Sequence, residues 1–324
     1  MTFTALRLHD EAPRTRIETI DTDALRAGDT LVKVHYSGLN YKDALAVTGK
    51  GKIIRDYPMV PGIDYAGTVV ESDHFAPGTE VILTGWGVGE KHDGGLAEMA
   101  RAKSKWLIER PEVLSARHAM ALGTAGLTAM LAVMAIEEGG IKPGDGPIAV
   151  TGAGGGVGGV AIKLLAGLGH EVHAVSGRPD QAERLKALGA SAVIDRAELA
   201  RDAKPLEAGH WVGAVDAVGG QMLATLLATA QPGAVITAMG NAGGIGLSTT
   251  VFPFILRGVR LQGIDSVFCP LAKRHDAWVR LANAVPESDL ADSVQEIGLE
   301  GVEAACEQLI AGQVPGRILV NLAR

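Results

Sequence analysis

The chain has 324 residues, enough for two domains, and 47% of them are apolar, which supports sizeable hydrophobic cores. Its formal net charge of −7 and the absence of a basic run argue against a nucleic-acid or anionic-membrane partner. The two cysteines, Cys269 and Cys306, lack a C-x-x-C spacing, so neither a disulfide framework nor a thiolate zinc site is predicted. No apolar leader opens the chain and no segment reaches the expected length of a membrane span, so we expect a cytoplasmic protein.

The first 122 residues have the pattern of a strand-rich domain. Short apolar or alternating runs at 4–8, 30–36 and 66–70 are separated by turns that contain Pro and Gly. Residues 72–81 are typical of a hairpin that leads into another strand.

A short helix is predicted to begin between two of these strands. Asn40 and Asp43 have the spacing of a capping box, which explains part of the motif. It does not explain Tyr41, whose phenol on the first helical turn could protonate a carbanion or hold a carbonyl oxygen. The alternative is that Tyr41 packs against its neighbours.

Three cations follow in the loop 48–56, namely Lys50, Lys52 and Arg55. In a chain of net negative charge, this cluster could attract an anionic substrate such as a phosphorylated acyl carrier. A solvated surface loop is the alternative.

A glycine-rich loop at 150–159 follows an apolar strand and precedes a helix predicted at 160–168. Glycines allow a close approach to a pyrophosphate, and the next helix directs its free N–H groups and dipole at the phosphate charge. A second apolar run at 171–176 completes the spacing of a βαβ unit. The loop therefore predicts a dinucleotide site, with a tight structural turn as the alternative. Its expected cofactor contacts are Ala153, Gly154, Gly155, Gly156, Val157 and Gly158, with Ala153, Gly155 and Gly158 at the fingerprint positions and alanine replacing the usual first glycine.

The end of the second strand distinguishes the two nicotinamide cofactors. An NAD site places an acid there for the ribose hydroxyls, whereas an NADP site supplies a cation for the 2′-phosphate. This chain has Ser176, Gly177 and Arg178, so the sequence predicts NADPH, with the Arg178 fork and the Ser176 hydroxyl on the phosphate. A solvated arginine in a polar loop is the alternative.

Further strands at 190–194, 211–217 and 233–238 alternate with helices, as in a parallel sheet with helices on both faces. Ligands of such sheets bind beyond the carboxyl ends of the strands, where Gly240 and Asn241 lie. A flexible surface loop is the alternative for these two residues. The last segment, with helices at 278–284 and 301–311 and a strand at 316–320, is expected to return to the first domain.

Five motifs, at 40–43, 61–64, 93–98, 123–129 and 176–178, together resemble the medium-chain dehydrogenase/reductase superfamily. Its zinc-dependent members carry Gly-His-Glu where this chain has Gly62, Ile63 and Asp64, and their first zinc cysteine has no counterpart near Asn40. The chain is therefore most similar to the zinc-free quinone-oxidoreductase branch, and within it to NADPH-dependent acryloyl-CoA reductases, and no metal is expected.

The resemblance implies an α/β architecture with a Rossmann doubly wound parallel sheet at 123–266. A GroES-like catalytic domain would comprise 1–122 and 267–324. A homodimer would form through the strand at 259–266. Arg317 would contact a cofactor phosphate, or alternatively complete a surface ion pair. The residues expected near the nicotinamide are Tyr41, Thr128, Gly263 and Ile264.

The implied reaction is zinc-independent, NADPH-dependent reduction of the double bond of a short enoyl-CoA, most simply acryloyl-CoA to propanoyl-CoA. A conjugated carbonyl activates the alkene without a Lewis acid, hydride goes to the β-carbon, and the enolate is held and then protonated at the α-carbon. Tyr41 is the candidate donor, with Asn40 and Asp64 shaping the site, while Lys50, Lys52 and Arg55 bind the substrate. One alternative is an NADPH:quinone or enone oxidoreductase, and another is a non-catalytic NADPH-binding sensor.

Overall fold

The structure, a computed structural model, describes residues 1–290 and 293–323. It divides into two compact units, one formed by Met1–Thr124 with Val267–Arg324 and the other by Ala125–Ser266. In chain order the strands are β1 (Thr2–Leu8), β2 (Thr15–Asp21), β3 (Thr30–Leu39), β4 (Asp64–Ser72), β5 (Glu80–Thr84), β6 (Met99–Ala102), β7 (Ile108–Glu109), β8 (Ile148–Val150), β9 (Val172–Ser176), β10 (Ala192–Asp195), β11 (Trp211–Asp216), β12 (Ala230–Ala238), β13 (Arg260–Gly263), β14 (Val294–Ile297) and β15 (Arg317–Asn321). The helices are α1 (Tyr41–Thr48), α2 (Ala116–Glu138), α3 (Gly156–Gly167), α4 (Ala182–Ala187), α5 (Gly220–Ala228), α6 (Phe252–Arg257), α7 (Leu271–Ala284) and α8 (Val302–Ile310).

The first unit is rich in strands. In the described residues, β1 and β2 form a hairpin, and a second sheet has the order β14-β15-β3-β4-β5-β7 with β6 paired to β3. The hairpin expected at 72–81 is confirmed, because β4 and β5 pair antiparallel across it. Apolar side chains from these strands meet α1 and α8 in one core, which includes Leu8, Val34, Leu83, Val302 and Ile318.

The second unit is a parallel sheet. The strands in the described residues have the order β10-β9-β8-β11-β12-β13, which is the doubly wound arrangement expected from the alternation of strands and helices. The predicted α/β class, with a Rossmann sheet and a strand-rich unit, is confirmed. Because the carboxyl ends of parallel strands share one edge, this order places the loops after β8 and β9 side by side.

Two helix predictions need correction. α3 begins at Gly156, not at residue 160, so the second half of the glycine-rich loop is the first helical turn. The Ala/Leu/Met pattern at 123–136 predicts a buried helix, but α2 begins earlier, at Ala116, and Gly123 interrupts its helical backbone with φ 50° and ψ −152°. The expectation that no segment reaches membrane-spanning length is also wrong for α2. However, 94% of its most apolar window is buried within the protein, as in a core helix.

Candidate functional site

The glycine-rich loop turns at Gly152 and packs closely at Gly158. Gly152 has a φ of 59°, in the left-handed region, so the sharp turn comes one residue before Ala153. This explains why alanine is tolerated there, fully buried. A Cβ at Gly158 would overlap the carbonyl oxygen of Gly152 and lie 2.7 Å from Cα of Ala153. The backbone of α3 therefore approaches the loop as closely as a phosphate cradle requires.

A buried carboxylate on the neighbouring strand β11 connects that strand to this loop. The hydroxyl of Thr151 donates to Oδ1 of Asp216 at 2.6 Å, and Oδ2 of Asp216 accepts from the backbone N–H of Gly219 at 2.8 Å. Burial raises the pKa of Asp216, and its hydrogen bonds partly offset that shift. Asp216 and Thr151 thus support the loop from beneath, a role that the loop sequence alone does not reveal.

The residues after β9 form a cationic corner beside the loop. The hydroxyl of Ser176 accepts from the backbone N–H of Arg178 at 3.1 Å. When the amide oxygen of Gln181 faces Arg178, it accepts from Nη2 at 2.8 Å and from Nε at 3.1 Å. A Cβ at Gly154 would lie 3.1 Å from Nη2 of Arg178, so this glycine leaves room for the guanidinium.

Two further arginines join Arg178 at this corner. Nη1 of Arg184 reaches the carbonyl oxygen of Gly154 at 3.5 Å. Burial, and then the positive charge of Arg178, lower the pKa of Arg184. Arg196 covers Gly177, where a Cβ would come 2.5 Å from Nε. A group of neighbouring cations favours binding of an anion, because the anion's charge relieves their mutual repulsion.

The other residues predicted to contact the cofactor lie at or near the carboxyl ends of strands. Gly240 packs against the residue that follows β11, because a Cβ there would lie 2.8 Å from Cα of Ala217. Gly263 ends β13 and is exposed, and the backbone N–H of Ile264 donates to Ala238 at 3.0 Å. Asn241 is exposed. The cofactor contacts of these residues stay predictions.

Thr128 is tied to the end of the second unit. Its hydroxyl donates to Oγ of Ser266 at 2.9 Å. Its predicted contact with the nicotinamide carboxamide is untested.

In the first unit, Asp64 is the centre of a buried polar cluster. Its fully buried carboxylate accepts from the backbone N–H of Gly38 at 2.9 Å and from Nδ2 of Asn40 at 2.9 Å. The backbone N–H of Thr124 also donates to Oδ2 at 2.7 Å. These bonds join β3, β4, the start of α1 and the break in α2.

Arg317 lies inside this cluster and not at the surface. Nη1 donates to Oδ1 of Asn40 at 3.1 Å, and Nε donates to the carbonyl oxygen of Ala121 at 3.3 Å. A Cβ at Gly123 would lie 2.8 Å from Nη2 of Arg317 and 2.9 Å from Oδ2 of Asp64, so only glycine fits between them. Burial lowers the pKa of Arg317, and the Asp64 charge opposes that shift. The surface ion pair is therefore wrong, and this enclosure argues against the phosphate contact, which no direct observation tests.

Asp43 binds the start of α1 to the loop before β4. Its oxygens accept from the backbone N–H groups of Asn40 at 2.8 Å and Ile63 at 3.0 Å. Burial, followed by the charge of Asp64, raises the pKa of Asp43 to about 7. The predicted capping box is thus also a clamp between two segments of the site.

Tyr41 projects from this clamp as the first residue of α1. Tyr41 is 46% exposed, so it is not part of the core, and its role as donor or packing residue stays a prediction. Among the predicted substrate cations, Lys52 and Arg55 are exposed, whereas Nζ of Lys50 binds Oε2 of Glu307 at 2.6 Å. The charge of Lys50 is therefore already partly balanced.

Comparison with known proteins identifies the family. Residues 26–112 match the alcohol dehydrogenase GroES-like domain, and residues 156–281 match the zinc-binding dehydrogenase family. The chain is 54% identical over 308 residues to the probable acrylyl-CoA reductase AcuI of Escherichia coli strain K12, covering 94% of this chain and 95% of that one. The chain belongs to the medium-chain dehydrogenase/reductase superfamily.

Two other members of the medium-chain dehydrogenase/reductase superfamily bear on function. The putative quinone oxidoreductase YhfP of Bacillus subtilis is 44% identical over 310 residues, covering 94% of each chain. The crystal structure of E. coli K-12 YhdH with bound NADPH superposes with a TM-score of 0.95 at 53% identity, covering 98% of this chain and 99% of that one. The resemblance drawn from the five sequence motifs is confirmed.

Zinc-dependent members of the superfamily would hold their metal where this chain has Asn40 and Ile63. Ile63 is buried and has no ligating atom. Within residues 1–290 and 293–323, no group of three or more His, Cys, Asp or Glu side chains could hold a metal ion. That turnover needs no metal stays a prediction.

Sequence reasoning missed several members of the site, chiefly Gly152, Gln181, Arg184 and Arg196. Gly152 belongs to the glycine run, but the fingerprint pattern predicts the sharp turn one residue later, at Ala153. Arg184 follows Arg178 by six residues through a short helical turn, a spacing that carries no recognisable motif. Arg196 follows β10, and only the pairing of β10 with β9 brings it to Gly177.

Proposed function

We propose that this protein reduces the carbon–carbon double bond of a short enoyl-CoA, with acryloyl-CoA to propanoyl-CoA as the main reaction and NADPH as the hydride donor. The observation that carries the proposal is the 54% identity, over 94% of the chain, to a protein named as a probable acrylyl-CoA reductase. The physical support comes from the glycine cradle and the cationic corner beside it.

The residues present fit NADPH. Gly152 and Gly158 give the close backbone approach that a pyrophosphate needs, and Gly155 caps α3, whose free N–H groups face the loop. Arg178 and Arg184 lie beside the glycine-rich loop and would balance the charge of the 2′-phosphate, and the residues directly after β9, Gly177 and Arg178, include no acid for the ribose hydroxyls. Bound there, NADPH supplies a hydride to the β-carbon of a conjugated thioester.

The chain's own contribution to the chemistry is to hold and protonate the substrate. The exposed phenol of Tyr41 is the candidate donor to the thioester oxygen or to the α-carbon as the enolate forms. Asn40 and Asp64 are buried and saturated by hydrogen bonds, so we assign them to positioning the start of α1 instead of touching the substrate. Lys52 and Arg55 are exposed cations available to the phosphates of CoA.

A steady-state assay of NADPH oxidation tests this proposal. Purified protein should turn over acryloyl-CoA with NADPH, and the Lys52→Ala and Arg55→Ala variants should raise the KM for CoA thioesters only. Loss of turnover on acryloyl-CoA, with retention of NADPH binding, would contradict it.

The second candidate function is an NADPH:quinone or enone oxidoreductase. It is favoured by the 44% identity to a putative quinone oxidoreductase. A soluble quinone lacks phosphates, so its KM should not respond to Lys52 or Arg55. Faster turnover of a quinone than of acryloyl-CoA would favour this candidate.

We further propose that the protein is a homodimer joined through the edge of the parallel sheet. β13 is one of the two edge strands of this sheet in the described residues, and its four residues are exposed. Apolar side chains beside it would be covered by the same edge of a second copy, which removes an exposed edge strand. Sedimentation of Ile255→Glu should show a shift from dimer to monomer. The exposed apolar residues are Val251, Phe252, Ile255, Leu256 and Leu261.

A further inference from the structure

The loop after β5 contains a backbone outlier. In the described parts of the chain, Trp86 is the one non-glycine residue with a positive φ, at 58°. Its neighbours Gly85 and Gly87 have φ values of 78° and 79°. Glycine adopts this conformation freely, whereas a bulky side chain is strained there. An indole at such a position calls for a reason other than the path of the backbone.

Several contacts hold Trp86 in place. Its backbone N–H donates to the carbonyl oxygen of Val267 at 3.0 Å, and the guanidinium carbon of Arg274 lies 5.1 Å from the ring centroid. Arg274 is fully buried and is itself fixed by Thr84, whose carbonyl and hydroxyl oxygens each accept at 2.7 Å. Phe268 meets the indole edge-on, with centroids 6.4 Å apart. The orientation of the ring is therefore set by its surroundings.

The same ring carries a second cost. The indole Nε1 is buried and has no hydrogen-bond partner within the described residues. A buried donor without an acceptor is unfavourable, so tryptophan at this position carries two energetic costs, one from backbone strain and one from desolvation of the indole N–H. Such a combination points to function more than to stability.

The loop that carries Trp86 is attached to the candidate catalytic residues. Thr84 pairs in register with Asp64, and the backbone N–H of Gly85 donates to Ile63 at 3.2 Å. Glu90, later in the loop, binds Lys42 on α1 at 3.2 Å, next to Tyr41. The loop of Trp86 thus contacts both α1, which carries the proposed proton donor Tyr41, and the segment around Ile63 and Asp64.

We propose that Trp86 and Phe268 form an aromatic wall that limits the length of the acyl chain beyond the β-carbon of the substrate. This inference rests on the proposed enoyl-CoA reductase function and names the substrate size that the site accepts. Phe268 is 58% exposed and Trp86 is partly exposed, so the pair presents apolar surface on the unit that carries Tyr41. In this proposal a substituent on the β-carbon would meet that surface, whereas an acryloyl group has no such substituent. A rigid wall discriminates by about 10-fold to 200-fold for each added methylene.

The test is a comparison of kcat/KM for acryloyl-CoA, crotonyl-CoA and trans-2-hexenoyl-CoA, all with NADPH. Glycine at position 86 accommodates the left-handed backbone, and Trp86→Gly removes the wall. The kcat/KM for hexenoyl-CoA relative to that for acryloyl-CoA should therefore rise by at least about tenfold. Trp86→Phe should keep the wild-type ratio within about threefold, because a ring remains. The matched control is Trp106→Leu, which should leave the ratio unchanged. Trp106 has similar contacts, because Lys103 lies 5.2 Å above its ring centroid and His92 meets the ring edge-on at 5.1 Å.

Phe268→Ala tests the same wall from an exposed side chain, so it keeps the proposal falsifiable if Trp86→Gly does not fold. It should raise the same ratio by a smaller factor. An unchanged ratio in folded Trp86→Gly or in Phe268→Ala, while the wild type reduces acryloyl-CoA, would overturn this inference alone. A wild type that reduces none of the three thioesters would overturn the proposed function, and this inference with it.

Discussion

The cationic corner beside the glycine-rich loop gives the sharpest prediction about the cofactor. Arg178→Ala removes a guanidinium that Gln181 holds at 2.8 Å and that lies close enough to Arg184 to lower its pKa. If Arg178 binds the 2′-phosphate, the variant loses a charge-assisted hydrogen bond of about 1.5–3 kcal/mol. NADPH should then bind roughly 10-fold to 150-fold more weakly, because each 1.4 kcal/mol is a factor of ten.

Affinity for NADH is the internal reference for this prediction. NADH lacks the 2′-phosphate, so its Kd should change by less than about twofold in Arg178→Ala. Both values can be measured by quenching of protein fluorescence or by calorimetry at low salt, where screening is weakest. Arg201→Ala is a suitable control, because Arg201 belongs to the same unit but pairs with Glu207 at 2.6 Å. Equal losses for NADPH and NADH, or no loss for either, would refute the assignment of this corner to the phosphate.

Three further predictions concern the loop, the proton donor and the buried clamp. Gly158→Ala should destabilise the protein by about 1–3 kcal/mol and weaken NADPH binding, because its Cβ would lie 2.7 Å from backbone of Ala153. The control is Gly167→Ala in the same helix, where the added Cβ would meet open space. Equal unfolding midpoints for the two variants in a denaturant titration would contradict the role of close packing at Gly158. Tyr41→Phe should lower kcat by about 10²-fold to 10⁴-fold with little change in stability, and a loss under tenfold would argue against the acid role. The raised pKa of Asp43, about 7, means that its contribution to stability is full below the unfolded pKa near 3.8 and is lost as the pH rises to about 7. Asp43→Asn should remove that decline in the free energy of unfolding, which is at most about 1.4 kcal/mol per pH unit. The urea midpoint is measured at pH 4 and at pH 7 for the wild type and for Asp43→Asn, and an equal change with pH in the two proteins would contradict the prediction.

The fold was predictable because its signals are local. Alternation of strand and helix after residue 147 predicts a parallel sheet, and the spacing of the glycine-rich loop within the βαβ unit locates the dinucleotide site. The start of α3 was misjudged because glycine is a poor helix former, yet here Gly158 is required for close packing. Tertiary packing thus overrides helix propensity at this position.

The site was less predictable because it depends on contacts between distant segments. Arg317 and Asp64 are 253 positions apart in the chain, and only the antiparallel pairing of β15 with β3 brings the guanidinium to Asn40. The role of Asn40 changes for the same reason, since its amide is saturated by Asp64 and Arg317. Trp86 carries no sequence signal other than its flanking glycines, and its backbone strain is visible only in the structure.

The most direct test of the central claim is a comparison of kcat/KM for acryloyl-CoA and a soluble quinone, each with NADPH and with NADH. We expect acryloyl-CoA to be the better substrate by at least about tenfold, and NADPH the better donor by a factor similar to the one predicted for Arg178. A preference for the quinone, or equal use of NADH and NADPH, would contradict the account.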